Sequence, residues 1–171
     1  MKKVYFISGF ADADIKFFTK FYLPLIAQAI RQDADFVIGD FIGVDAMAQA
    51  YLKQQLPEDQ HSRVKVYFRG NDPQNYMSTG FLAIGGFGTH EEAAVAMSIS
   101  SDEDIAVLMP GREKSMTAKN VMRRFTPEFP FWKYALGKNS NKKFWDVIFN
   151  AEQVLEGAIT ESQEKIDTEV S

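Results

Sequence analysis

The feature that most constrains this chain is a short apolar run that breaks into a glycine turn and then opens directly into a helix. Between Asp35 and Leu52 the sequence reads D-F-V-I-G-D-F-I-G-V-D-A-M-A-Q-A-Y-L. Phe36, Val37 and Ile38 suit a buried strand, Gly39, Asp40 and Gly43 interrupt it, and Ala46 to Leu52 is strongly helix-forming. Glycines in such a turn accept backbone angles closed to other residues and let a ligand approach the main chain. The helix start behind them aims unpaired N–H groups and a partial positive charge at the turn, an arrangement that suits a phosphate or a sugar hydroxyl. A tight βα turn with Asp45 as helix cap explains the same residues without a ligand.

The pattern recurs. Val4 to Ile7 forms a strand ending in Ser8-Gly9-Phe10, with Asp12 or Asp14 capping the next helix. From Ile15 to Arg31 apolar residues return at helical spacing, and Pro24 predicts a kink or two helical pieces. Pro57 to Arg63 reads as a polar loop and Val64 to Phe68 as a third strand. Arg69 to Thr89 reads as a long glycine-rich loop, Glu91 to Ile99 as a helix, and Asp104 to Met109 as a fourth strand. Pro110 to Ser115 is a turn before a helix from Met116 to Arg124. Phe125 to Trp132 carries two prolines and no clear period; Lys142 to Leu155 has a helical pattern, and the acidic stretch 157–171 reads as a flexible tail. Alternating strands and helices predict an α/β fold: a Rossmann-like three-layer sandwich with a mostly parallel sheet of four to five strands, in one domain over 1–156. In such sheets ligands bind beyond the carboxyl ends of the strands, where the strand order reverses. The turns Ser8 to Phe10, Gly39 to Asp45 and Pro110 to Thr117 all fall on that edge and are expected to converge.

Composition narrows the chemistry. With 171 residues, 15 Phe and 46% hydrophobic residues, the chain has material for a real core. A net charge of −4 disfavours nucleic acid as a partner. The chain has no cysteine, which fits a cytoplasmic protein, and no apolar run long enough to be a membrane span. His61 and His90 lack partners at ligand spacing, so no metal site is expected, and no organic cofactor is implied.

Taken together, S-G after the first strand, G-D-x-x-G-x-D opening a helix, and P-G with a downstream S-x-T-A-x-N resemble the SLOG superfamily. That group includes the DNA-processing proteins, the lonely-guy (LOG) nucleotide hydrolases and small stand-alone domains of the YspA type. The likeness is nearest to the stand-alone domains and runs from about Val4 to Arg124. It implies a Rossmann-like fold and a nucleotide or nucleotide-derived ligand, with no settled reaction. Gly85-Gly86-Phe87-Gly88-Thr89-His90-Glu91-Glu92 is similar to the hydrolases' P-G-G-x-G-T-x-x-E signature, but it precedes the strand that the signature should follow. After that strand, Lys119 and Asn120 stand where the family's glutamates would be.

The ligand-binding candidates are therefore Ser8, Gly9, Gly39, Asp40, Gly43, Val44, Asp45, Pro110, Gly111, Arg112, Ser115 and Thr117. Arg112 suits bidentate phosphate binding; Lys119, Arg123 and Arg124 read as a solvated helix face. Arg69 closes the third strand and is either an anion contact or an ordinary surface arginine. If the chain is an enzyme, Asp45, Glu91 or Glu92 must supply the acid of an N-glycosidic-bond hydrolase acting on nucleoside monophosphates. Glu91 and Glu92 also read simply as first-turn acids favoured by the helix dipole. The expected partner is a nucleotide or related phosphorylated small molecule, bound as by a sensor, with homo-oligomerisation compatible with the aromatic content.

Overall fold

The computed structural model describes residues 2–125. The patterns at 126–132 and 142–155, the domain limit at 156 and the acidic tail lie outside the described residues.

Five strands form one parallel sheet: β1 (Val4–Ile7), β2 (Asp35–Gly39), β3 (Val64–Arg69), β4 (Leu82–Phe87) and β5 (Glu103–Ile105), in the order β4-β3-β2-β1-β5. The α/β class and the three-layer, Rossmann-like arrangement expected from the sequence are what the chain adopts. Successive strand residues face opposite sides, so each strand feeds two cores. Phe36 and Ile38 pack with Ile7, Val64 and Val66 against α1 (Ile15–Phe21), α2 (Leu23–Arg31) and α3 (Val44–Gln55). Val37 turns the other way, with Phe6 and Tyr67, toward Ala93, Ala94 and Met97 of α4 (His90–Ile99). Ala106 meets Val121 of α5 (Met116–Phe125) on that second side.

Pro24 does divide the first helical stretch. It sits at the start of α2, where its missing N–H costs nothing, and Tyr22 separates the two pieces. Asp14 rather than Asp12 caps α1, accepting the Phe17 N–H at 2.8 Å. Three expectations need correction. Residues 58–63 form a 3₁₀ helix, which buries His61 and Arg63. The glycine-rich stretch contains β4, which runs directly into Gly85-Gly86-Phe87-Gly88, so that string does follow a strand. Its alternation is masked by two glycines and by the exposure of an edge strand, and it pairs with β3 through a register shift. Conversely β5 ends at Ile105, because Ala106 to Met109 leave the ladder to turn toward α5.

The segment between β3 and β4 is strapped down by one face of α3. Gln49, wholly buried, donates to the carbonyls of Gly39 (2.9 Å) and Tyr76 (3.2 Å) and accepts the Ser78 N–H at 2.9 Å. One turn on, Lys53 donates to the Thr79 carbonyl. Residues four apart share a helix face, so Asp45, Gln49 and Lys53 form one polar stripe along this segment.

The chain lays β2, β3 and β4 on one side of β1, then returns by α4 to place β5 on the other. The order therefore reverses between β1 and β5, and the carboxyl ends of those strands flank the crevice where ligands bind in such sheets.

Candidate functional site

Tyr22 joins the two sides of that crevice from below. Its hydroxyl donates to the Ser8 carbonyl (2.8 Å) and accepts the Val107 N–H (3.0 Å), coupling the ends of β1 and β5 through one buried group. Burial raises the phenol's pKa above its usual value, so it stays protonated. A side chain on Gly9 would lie 2.7 Å from this hydroxyl and 2.5 Å from Val44, so only glycine fits between strand end and α3.

Above these turns lies a narrow cleft with about 40 Å³ of water-accessible space, roofed by the starts of α4 and α5. Ser8, Gly9, Gly39, Asp40 and Asp45 form its floor, with Thr117 and Asn120 from α5 and His90 from α4 on its walls. Phe41 packs on His90 with ring centroids 4.7 Å apart, and Met97 and Tyr67 close the apolar end. Mostly apolar lining with a few converging polar groups is the usual make-up of a small-molecule site.

Those polar groups are unevenly committed. Asp40 is spoken for: its carboxylate accepts the Gln74 N–H at 2.7 Å and its carbonyl the Tyr76 N–H at 2.9 Å, so it anchors the strapped segment. Asp45 is not the helix cap; Gly43 holds that position and Asp45 sits in the first turn, buried. Its Oδ2 accepts a hydrogen bond from the Phe41 N–H at 3.3 Å. Burial pushes the Asp45 carboxyl up to about 8; the Phe41 N–H opposes the shift and nearby Asp40 adds to it. At neutral pH Asp45 is therefore mainly a carboxylic acid, able to donate. Ser8, 6% exposed, has no partner for its hydroxyl among the described residues. An unpartnered buried hydroxyl is costly unless something in the cleft answers it. Asn120 accepts from Arg123 at 2.9 Å through its Oδ1, which leaves its amide N–H groups for the cleft.

Arg123 was expected on a solvated face; instead it is fully buried, bonded to Ser98 (3.0 Å) and Asn120, and burial lowers its pKa to about 10. Arg124 is half-buried and clamps Asp104 at 2.7 Å and 3.2 Å. Burial raises the Asp104 carboxyl's pKa against the opposing pull of that guanidinium. Neither position is visible in the sequence, because the charges suggest one exposed side of α5, whereas α4 and β5 cover it.

Of the other candidates, Val44 lies in the core and Gly43 packs on Phe10 and Ala11; neither lines the cleft. Ser115 caps α5, accepting the Ala118 N–H at 3.1 Å. Glu91 is exposed, and Glu92 accepts the Gly88 N–H at 2.9 Å while its own N–H goes to the Thr89 hydroxyl at 3.0 Å, a reciprocal cap. Pro110, Gly111 and Arg112 do not reach the cleft. They lie across the Gly9–Phe10 turn, where Arg112 and Met109 border a shallow groove with Phe10, Asp12, Asp14 and Phe17. Arg69 is exposed and His61 is buried against Phe81, both away from the cleft. His90, Phe41 and Met97 were not anticipated as site residues; the only signal was that His90 opens a helix. Among the described residues no group of His, Asp or Glu is placed to hold a metal ion, and no helix is long and apolar enough to cross a membrane.

Comparison with known proteins brings no match, whether to a family model, a curated protein or a solved structure.

Proposed function

We propose that the chain is a SLOG-type domain whose cleft binds a nucleotide or nucleotide-derived molecule, as a sensor or ligand-binding module. One observation carries the reading: at the reversal of strand order, the buried Ser8 hydroxyl has no partner among the described residues, and Ser8 lines a cleft shared with several polar groups. The Asn120 amide, the Asp45 acid and the N–H groups of Met116 and Thr117 at the start of α5 belong to residues lining the cleft and can donate to the oxygens of a ribose, base carbonyl or phosphate. The S-G, G-D-x-x-G-x-D and S-x-T-A-x-N residues that carry the resemblance supply Ser8, Asp45, Thr117 and Asn120 to this one place.

The test is a thermal-shift screen of nucleosides, nucleoside mono- and diphosphates and ADP-ribose, followed by calorimetry of the best ligand on Ser8→Ala and Thr117→Val. At a hundredfold excess over Kd, a ligand adds about 2.7 kcal/mol of stability. Weakened binding by both variants, with folding unchanged, is the expected result. Binding unaffected by either variant would remove the cleft from consideration.

A second reading is hydrolysis of the N-glycosidic bond of a nucleoside monophosphate. It is favoured by Asp45, a protonated acid in the cleft, which could protonate a departing base. Neither Glu91 nor Glu92 supports it, since one is exposed and the other a cap. Release of free base from nucleoside monophosphates, abolished in Asp45→Asn, would establish this activity.

A further inference from the structure

The groove across the Gly9–Phe10 turn contains an arrangement that the cleft does not use. Arg112, from the turn after β5, reaches over the crevice to Asp12, from the turn after β1. Its Nη1 and Nη2 donate to the two carboxylate oxygens at 2.7 and 2.8 Å. The guanidinium lies over the Phe10 ring, 4.5 Å from its centroid, so it has a fixed platform although the ion pair is in solvent. The neighbouring acid, Asp14, is committed to capping α1. Asp12 serves no such local purpose; its carboxylate lies on Arg112 from a hundred residues away in sequence.

A guanidinium presents two parallel N–H groups that fit a pair of oxygens on a carboxylate or on a phosphate alike. Exposed ion pairs hold their partners weakly, so one anion can replace the other. The same two turns also line the cleft: Ser8 and Gly9 precede Phe10 and Asp12, and Met116 and Thr117 follow Arg112. The two turns thus run from the cleft to the groove that holds Arg112.

Resting on the nucleotide reading, we infer that the site has two parts, with Arg112 on Phe10 as an outer phosphate subsite that the Asp12 carboxylate occupies until a ligand phosphate replaces it. Asp12 is then a built-in competitor. It sets a threshold for phosphorylated ligands without affecting their unphosphorylated counterparts.

The pair of substitutions Asp12→Asn and Arg112→Ala tests this, because the inference requires opposite signs. Both residues are exposed, so the variants should fold, which melting curves check. By calorimetry with AMP and adenosine, Asp12→Asn should tighten AMP about three- to fivefold and leave adenosine unchanged. Arg112→Ala should weaken AMP roughly tenfold, again sparing adenosine. If AMP binds Arg112→Ala as it binds the wild type, or if Asp12→Asn weakens it, the outer subsite is wrong while the nucleotide reading stands. If the wild type binds neither AMP nor adenosine, the inference is decided by inorganic pyrophosphate and the Arg112 Nε–H resonance. A shift that is larger in Asp12→Asn than in the wild type upholds the exchange, and no shift in either overturns it.

Discussion

The turn after β2 and the turn after β5 look alike in sequence, each with glycine and a charged residue before a helix, yet they are built on opposite terms. The first is tightly packed. A side chain on Gly43, at φ +79°, would meet the Phe10 carbonyl oxygen at 2.3 Å, and one on Gly39 would meet Asp45 at 2.6 Å. In the second, Gly111 has φ +84° and open space where a side chain would go. Its N–H donates to Glu113, two residues on, at 2.8 Å. The closed turn holds cleft residues rigidly in place; the open turn carries a guanidinium paired with an exposed carboxylate. Rigidity and exchangeability sit on two sides of one crevice.

Gly43→Ala should break the closed turn, since positive φ and a backbone collision add together. A loss of about 5 kcal/mol in urea unfolding is expected, and less than about 2 would show that the turn can relax. Asp45→Asn sharpens the same side through pH. The folded carboxyl, near 8, lies above its unfolded value of about 3.9, so the folded state keeps a proton that the unfolded state releases. Its contribution is complete below pH 4, falls as pH rises and is gone above 8. Wild type and Asp45→Asn should therefore diverge between pH 4 and 8, the variant gaining on the order of 5 to 6 kcal/mol, measured by denaturation across that range. A difference independent of pH would mean that Asp45 ionises freely. On the open side, Gly111→Ala meets no neighbour and should cost about 1 kcal/mol, from φ alone. Smallest of all, Arg112→Ala should leave the melting temperature within experimental scatter while it changes phosphate binding. A large drop would show that the open turn is structural after all.

Much of this was legible from residue order. The apolar runs at 4–7, 36–38 and 64–68, each followed by a break, require strands that alternate with helices; of the apolar residues at helical spacing after the first turn, Phe18, Ile26 and Ala29 are buried, whereas Ile15 is exposed. The expected convergence of the Ser8–Phe10, Gly39–Asp45 and Pro110–Thr117 turns holds in part: Ser8, Gly9, Gly39, Asp45 and Thr117 line one cleft, whereas Pro110, Gly111 and Arg112 do not. The features hidden from the sequence depend on contacts distant along the chain. β4 is held by β3 rather than by its own glycine-rich pattern, and Arg123 is buried because α4 covers it, although its charge suggests a surface position.

Local propensity and period are properties of neighbours along the chain, so the sequence alone determined the class of fold, the glycine turns and the candidate polar residues. Which side of the Gly9–Phe10 turn each residue would occupy was decided only by packing. The same α/β edge brings Ser8, Asp45, Thr117 and Asn120 together, yet turns Arg112 away to Asp12, because burial and ion pairing act between groups that the chain keeps a hundred residues apart.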